Sequence, residues 1–144
     1  MNIRVTKEFH FEAAHALDGY DGKCRDIHGH SYHLKVTFLG KPIESKDISE
    51  CGMVVDFGDI KRVVKEKVFD LFDHCLILRN DSRFKPIELK NSRVRYVDYQ
   101  PTCENMLLEI VLILQDQFEN ITLHNVFLRE TANSYAEWCA ADND

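Results

Sequence analysis

Two alternating segments joined by a short turn-rich loop limit the folds open to this chain more than any other feature. From Ile3 to His15, the residues Ile3, Val5, Phe9, Phe11 and Ala13 share one parity, and Arg4, Thr6, Glu8 and His10 share the other. Such alternation is the signature of a strand with one face buried. Residues 16–27 carry turn chemistry in Asp18-Gly19 and Asp21-Gly22. A second strand is predicted from His28 to about Leu39. One of its faces runs from His28 and His30 into Tyr32, Leu34, Val36 and Phe38, before Gly40-Lys41-Pro42 ends it. The chain should therefore open with an antiparallel hairpin that has one apolar face and imidazoles at one end.

Helical periodicity follows. Met53-Val54-Val55 is a short extended approach, Asp56 is a candidate N-cap with Asp59 three residues on, and Phe57, Ile60, Val64, Val68 and Leu71 recur at helical spacing. A second helix is predicted from Thr102 or Cys103 to about Phe118. Its stripe of Met106, Leu107, Ile110, Val111, Leu114 and Phe118 is broadened by Leu108, Leu112 and Ile113, so the helix is either wrapped by the core or packed on another subunit. Two last strands fit Thr122–Glu130 and Ser134–Cys139. Between the helices, Ile87–Lys90 and Arg93–Val97 can pair as a small hairpin around Asn91-Ser92. The order is ββααββ, an α+β fold, and the 144 residues fit a single domain, 1–144.

Bulk properties exclude several classes. A net charge of −6 argues against nucleic acid as a partner, because phosphate binding normally brings a basic excess. The longest apolar run, Ile110–Leu114, is far short of the roughly 20 residues a spanning helix needs, so no membrane is expected. Five cysteines without regular spacing, and no signal-like apolar run after Met1, point to a reducing cytoplasm.

The chemistry lies in Cys24-Arg25-Asp26-Ile27-His28-Gly29-His30. Residues two apart in a strand face the same way, so His28 and His30 present two imidazoles side by side, with Gly29 leaving room for close approach. In a hairpin, His15 lands near the start of the second strand. Three neutral imidazoles with an open fourth position describe a catalytic zinc site. Cys24 can reach it from the loop, either as a fourth ligand that closes the site or as a thiolate base. Asp73-His74 directly follows the first helix, where it is either an oriented, basic imidazole or a helix C-terminal histidine interacting with the dipole. His10, His33 and His124 read as ordinary strand histidines, and Cys51, Cys75, Cys103 and Cys139 as small packed side chains.

Six motifs in order, spanning residues 9 to 138, resemble the 6-pyruvoyl/6-carboxytetrahydropterin synthases. They are Phe11-Glu12-Ala13-Ala14-His15, Cys24-x-x-x-His28-Gly29-His30-Ser31, Asp56-Phe57, Asp73-His74, Pro101-Thr102-x-Glu104-Asn105 and Glu130-Thr131. The resemblance implies the tunnelling (T-) fold, a four-stranded antiparallel sheet with two helices on one face. It also implies that three sheets close into a trimeric barrel and that two trimers stack as a homohexamer. The family's roles would make His15, His28 and His30 ligands of Zn²⁺ and Cys24 the base, with His74 and Asp73 relaying protons. Glu130 would accept from the pterin ring, and Thr102 and Glu104 would line its pocket.

The implied substrate is 7,8-dihydroneopterin triphosphate. One branch cleaves a carbon–carbon bond to give 6-carboxytetrahydropterin, acetaldehyde and triphosphate on the way to queuosine. The other eliminates triphosphate to give 6-pyruvoyltetrahydropterin. The three-residue gap between Cys24 and His28 resembles the carboxy branch. A non-catalytic zinc or pterin-binding module with a closed Cys-His₃ site is the alternative of a different class, but it leaves Asp73-His74 without a purpose. The chain departs from the family at Phe72 and Leu78, where Leu and Asn are usual, and in a longer 79–101 segment. That segment carries Arg79, Arg83, Lys85, Lys90, Arg93 and Arg95. These cations read as a solvated hairpin or subunit contact in preference to a flap meeting the substrate's triphosphate.

Overall fold

The computed structural model describes residues 1–87 and 92–143. Strands β1 (Ile3–His15) and β2 (His28–Gly40) pair antiparallel over their whole length, from Ile3 opposite Gly40 to His15 opposite His28. The register places odd residues of β1 and even residues of β2 on one face. Phe9, Phe11, Ala13, Tyr32, Leu34, Val36 and Phe38 are all buried there. Phe11 and Tyr32 stack with ring centroids 5.1 Å apart. Strand β2 then pairs antiparallel with β5 (Thr122–Thr131), and β5 with β6 (Ser134–Cys139).

These four strands are the expected antiparallel sheet, but the sheet is larger than expected. It has six strands in the order β4-β3-β1-β2-β5-β6. Strand β3 (Cys75–Arg79) runs parallel to β1, and β4 (Val94–Val97) runs parallel to β3. The outer edge of β1 near its C-terminal end would otherwise leave backbone donors and acceptors unpaired beside the core. The apolar run Cys75-Leu76-Ile77-Leu78 satisfies them and buries Cys75, Ile77 and Leu78. Five residues without alternation carry almost no periodic signal, which is why the sequence hid this strand. The hairpin expected at 87–97 is replaced on the Arg93–Val97 side by the parallel β3–β4 pairing; its other arm falls largely on residues 88–91, outside the described residues.

Helix α1 (Phe57–Val64) starts where expected: the Asp56 carboxylate accepts from the Gly58 N–H at 2.6 Å. The backbone stays helical through a π turn, Lys65–Phe69, into α2 (Asp70–Phe72). Ile60, Val64, Val68 and Phe72 face the core along this stretch, with Val63 and Phe69 buried beside them. Phe57, expected in that stripe, is exposed, and Leu71 is only half-buried. Helix α3 (Cys103–Leu114) is capped by the Thr102 hydroxyl, which accepts from the Asn105 N–H. It ends four residues before the expected Phe118: Gln115 leaves the helical backbone (ψ 139°) and Asp116 follows in a left-handed conformation (φ 60°). Phe118 folds back edge-on against Phe38.

The two helical segments pack with the sheet's apolar face in one core. The broad apolar surface of α3 divides: Met106, Leu107, Ile110, Val111 and Leu114 are buried, while Leu108 and Leu112 are exposed. Glu109, on the flank of α3, receives Arg95 of β4 through both oxygens and the Tyr99 hydroxyl as well, which ties the sheet's far edge to the helix.

Candidate metal centre and adjoining clefts

The hairpin register brings three imidazoles together. His15 is the last residue of β1, and His28 and His30 open β2 on the same face. Their candidate ligand atoms all lie within 4.8 Å of one another, and among the described residues they form the one such cluster of three or more metal-ligating side chains. A tetrahedral zinc with Zn–N bonds of about 2.0–2.1 Å needs ligand nitrogens roughly 3.3 Å apart, a range that this cluster brackets.

Hydrogen bonding fixes the tautomers. His15 Nδ1 lies 2.6 Å from the Pro101 carbonyl, and His28 Nδ1 lies 2.7 Å from the Asp26 carbonyl. A carbonyl only accepts, so each Nδ1 carries the proton and donates. The two Nε2 atoms are then bare lone pairs, yet they face each other at 3.0 Å. Two lone pairs at that distance repel unless a cation sits between them. His30 Nε2, also buried, has no hydrogen-bond partner among the described residues. Burial lowers the pKa of His15 and of His30, which favours the neutral, ligating form. This donor set fits a metal, and backbone acceptors behind two of its members are the usual outer support of such sites.

Glu130 on β5 stands beside the cluster, with Oε1 3.5 Å from His15 Nε2 and 3.8 Å from His30 Nε2. The buried Tyr32 hydroxyl donates to the same oxygen at 3.1 Å. Burial, reinforced by this carboxylate, pushes the Tyr32 phenol far above its ordinary range, so it remains a donor. Sequence reasoning placed Tyr32 in the apolar stripe and missed its hydroxyl. Its shared parity with His28 and His30 was the available signal.

Cys24 sits in a 3₁₀ turn, Lys23–Arg25, fixed by the Leu17 N–H donating to its carbonyl at 3.0 Å. Its thiol does not join the converging imidazole nitrogens. It lines a cleft of about 260 Å³ with His15, Thr102, Glu104 and Glu130, walled by Tyr20 and Tyr135. Five of the nine expected site residues thus line one opening, His15, Cys24, Thr102, Glu104 and Glu130, and His28 and His30 join it through their cluster with His15.

Asp73 and His74 do not join that opening. They follow α2, and His74 lines a separate, larger cleft with Glu12, Gly29, His30, Ser31 and Arg93. Glu12, Gly29 and Ser31 have the opposite parity to the core, so this cleft opens on the helix-free side of the sheet. The His74 side chain is 77% exposed and its backbone is left-handed (φ 56°). Asp73 Oδ1 accepts from the Glu12 N–H and from His74 Nδ1, each at 3.0 Å. The pair is oriented as expected, but toward a face that Cys24 of the same chain does not line.

The family model described as 6-pyruvoyl tetrahydropterin synthase matches residues 4–140. The chain belongs to this family. Two relatives named 6-carboxy-5,6,7,8-tetrahydropterin synthase agree. The Haemophilus influenzae protein is 34% identical over 94% of this chain and 98% of its own length. That of Rickettsia bellii is 36% identical over 94% of this chain and 99% of its own. The solved structure of Caenorhabditis elegans 6-pyruvoyl tetrahydropterin synthase shares the fold, with a TM-score of 0.70 at 23% identity over 96% of each chain. The chain is therefore a T-fold member of a family of tetrahydropterin synthases, enzymes acting on a small pterin. Among the described residues, no helix is long and apolar enough to cross a membrane.

Proposed function

We propose that this protein is a zinc-dependent, cytoplasmic 6-carboxy-5,6,7,8-tetrahydropterin synthase, built as one domain over residues 1–144, that converts 7,8-dihydroneopterin triphosphate and one water to 6-carboxytetrahydropterin, acetaldehyde and triphosphate. The observation that carries the reading is the convergence of three imidazoles, two with their lone pairs forced inward, beside a cleft lined by Cys24 and Glu130. His15, His28 and His30 would hold the zinc, which when bound would polarise the side-chain oxygens of the substrate as a Lewis acid. Cys24, as thiolate, would take a proton from the substrate's side chain. Glu130, steadied by Tyr32, would accept from the N–H groups of the pterin ring. Thr102 and Glu104 would border the ring where α3 begins.

His74, fixed by Asp73, would exchange a proton on the opposite side of the substrate. Cys24 and His74 of one chain line different clefts, so this role requires the pair to come from a neighbouring copy. The outer edges of β4 and β6, unpaired among the described residues, and the exposed Leu108 and Leu112 support assembly, and a hexamer built from two trimeric barrels is the arrangement proposed. Light scattering at micromolar concentration should give a mass several times 16.8 kDa; a monomer of that mass would leave His74 without a site to serve.

The names of the relatives and the short Cys24–His28 gap favour the carboxy product. A second reading, elimination to 6-pyruvoyltetrahydropterin, is favoured by the description of the family model. Mass analysis of the products of zinc-loaded protein and dihydroneopterin triphosphate decides between them. Acetaldehyde with a carboxypterin is expected, and a pyruvoyl product without acetaldehyde would overturn the assignment.

A further inference from the structure

The cations between residues 79 and 95 are, in the described residues, engaged with their own chain. Arg79 pairs with Asp81, Lys85 donates to the Asn80 carbonyl, and Arg95 is bound to Glu109. Arg83 and Arg93 differ from these in what they hold.

Arg83 Nη2 donates to the Arg25 carbonyl at 2.6 Å and to Asp26 Oδ1 at 2.8 Å, and its backbone N–H donates to Asp18 Oδ1 at 3.0 Å. These acceptors lie at both ends of the loop that carries Cys24. The carbonyl of Asp26 is the group that receives His28 Nδ1–H. Arg83 thus grips both the side chain of Asp26 and the carbonyl just before it, and so holds the residue whose own carbonyl orients a candidate metal ligand.

Arg93 Nη1 donates to the Asp73 carbonyl at 3.1 Å. The N–H of that same peptide unit, on His74, donates to the Glu12 carbonyl at 2.6 Å. One peptide plane is therefore held at both ends, and it is the plane that must tolerate a left-handed histidine. That conformation costs about 1–2 kcal/mol for an L-residue and persists only where neighbours enforce it. The Arg93 backbone is fixed in turn, its carbonyl accepting from the Leu76 N–H at 2.9 Å.

We propose that Arg83 and Arg93 are positioning residues, Arg83 for the Cys24–His28 loop and Arg93 for the Asp73–His74 turn. The longer connection in this chain then serves to brace both halves of the proton-transfer apparatus. This rests on the site reading above. Arg83 is half exposed, so its ion pair adds little to global stability and its effect falls on ligand orientation.

The test uses Arg83→Gln and Arg93→Gln in the full chain. Arg83→Gln should weaken zinc binding about tenfold in chelator competition, the usual scale for losing support behind a ligand, while Tm moves by no more than about 2–4 °C. Arg93→Gln should leave zinc affinity unchanged, strip hydrogen-exchange protection from the His74 amide, and lower kcat about tenfold at constant KM, with Arg93→Lys restoring most of it. Unchanged zinc affinity in Arg83→Gln, or unchanged His74 protection in Arg93→Gln, would overturn the corresponding half. A raised KM at constant kcat would assign the guanidinium to the substrate's phosphates and overturn it as well. If Arg83→Gln does not fold, Asp26→Asn breaks the same pair from its other end and is read by the same zinc measurement. The zinc and amide measurements need no substrate, so they decide the proposal even if wild-type protein fails to turn over dihydroneopterin triphosphate, a failure that would count against the functional reading alone.

Discussion

A His28→Ala/His30→Ala protein is expected to bind almost no zinc and to have turnover at background, while remaining folded. Both imidazoles lie at the opening end of β2, His30 with 17% of its side chain exposed, and the buried Phe11–Tyr32 core begins beyond them. Their removal leaves His15 as the one imidazole of the cluster, and a single neutral nitrogen does not hold zinc against water. It also relieves the 3.0 Å opposition of lone pairs between His15 and His28, so the metal-free variant should be no less stable than metal-free wild type. Zinc should then raise the Tm of wild type only, because a ligand at 100 times its Kd adds about 2.7 kcal/mol to the state that binds it. Metal analysis after gel filtration and paired thermal melts check both halves. Full zinc occupancy in the double variant would sink the ligand assignment.

The hairpin and its register were legible because one face is buried and the other is not. A slip of one residue would have sent Phe9, Phe11 and the imidazoles to solvent, so parity alone fixed which side chains meet. The start of the first helix was legible through Asp56, whose carboxylate accepts from the backbone as its sequence position implied, and the second was expected at Thr102 or Cys103, where the Thr102 hydroxyl is the cap. Strands β3 and β4 were not, since five- and four-residue parallel strands are recruited by the unpaired edge of β1 and carry no period of their own. The π turn in the first helix was equally silent: the substitution of Phe72 for Leu71 in the core is a consequence of tertiary packing that spacing does not encode.

At the site, the three imidazoles were legible from their parity and the turn between the strands. What stands behind them was not. The carbonyls that set the tautomers are backbone groups, Pro101 brought in from far along the chain and Asp26 from the turn just before His28, and no residue type announces them. The separation of His74 from Cys24 was hidden for a related reason. Asp73-His74 sits at a helix end in the sequence, but the face it serves depends on β3 joining β1 and on the left-handed turn that aims it away from the core.

Cys24→Ala should fold, keep its zinc, and lose about 10²- to 10⁴-fold in kcat, the usual contribution of a positioned proton acceptor. The turn that carries it is held by backbone contacts, Leu17 N–H to the Cys24 carbonyl and Arg25 N–H to the Gly22 carbonyl, which the substitution leaves in place. The thiol lies outside the set of converging imidazole nitrogens, so its loss removes no ligand. Cys24→Ser is the sharper comparison. The hydroxyl has nearly the same shape and still fills the cleft, but it ionises far less readily than a thiol, so it should be almost as impaired as Cys24→Ala. KM should change little in either variant, because Glu130, Thr102 and Glu104 still border the cleft. Zinc content separates this outcome from its rival: if metal departs together with activity in Cys24→Ala, the cysteine is a fourth ligand, the site is closed, and the protein binds zinc without performing the chemistry proposed here.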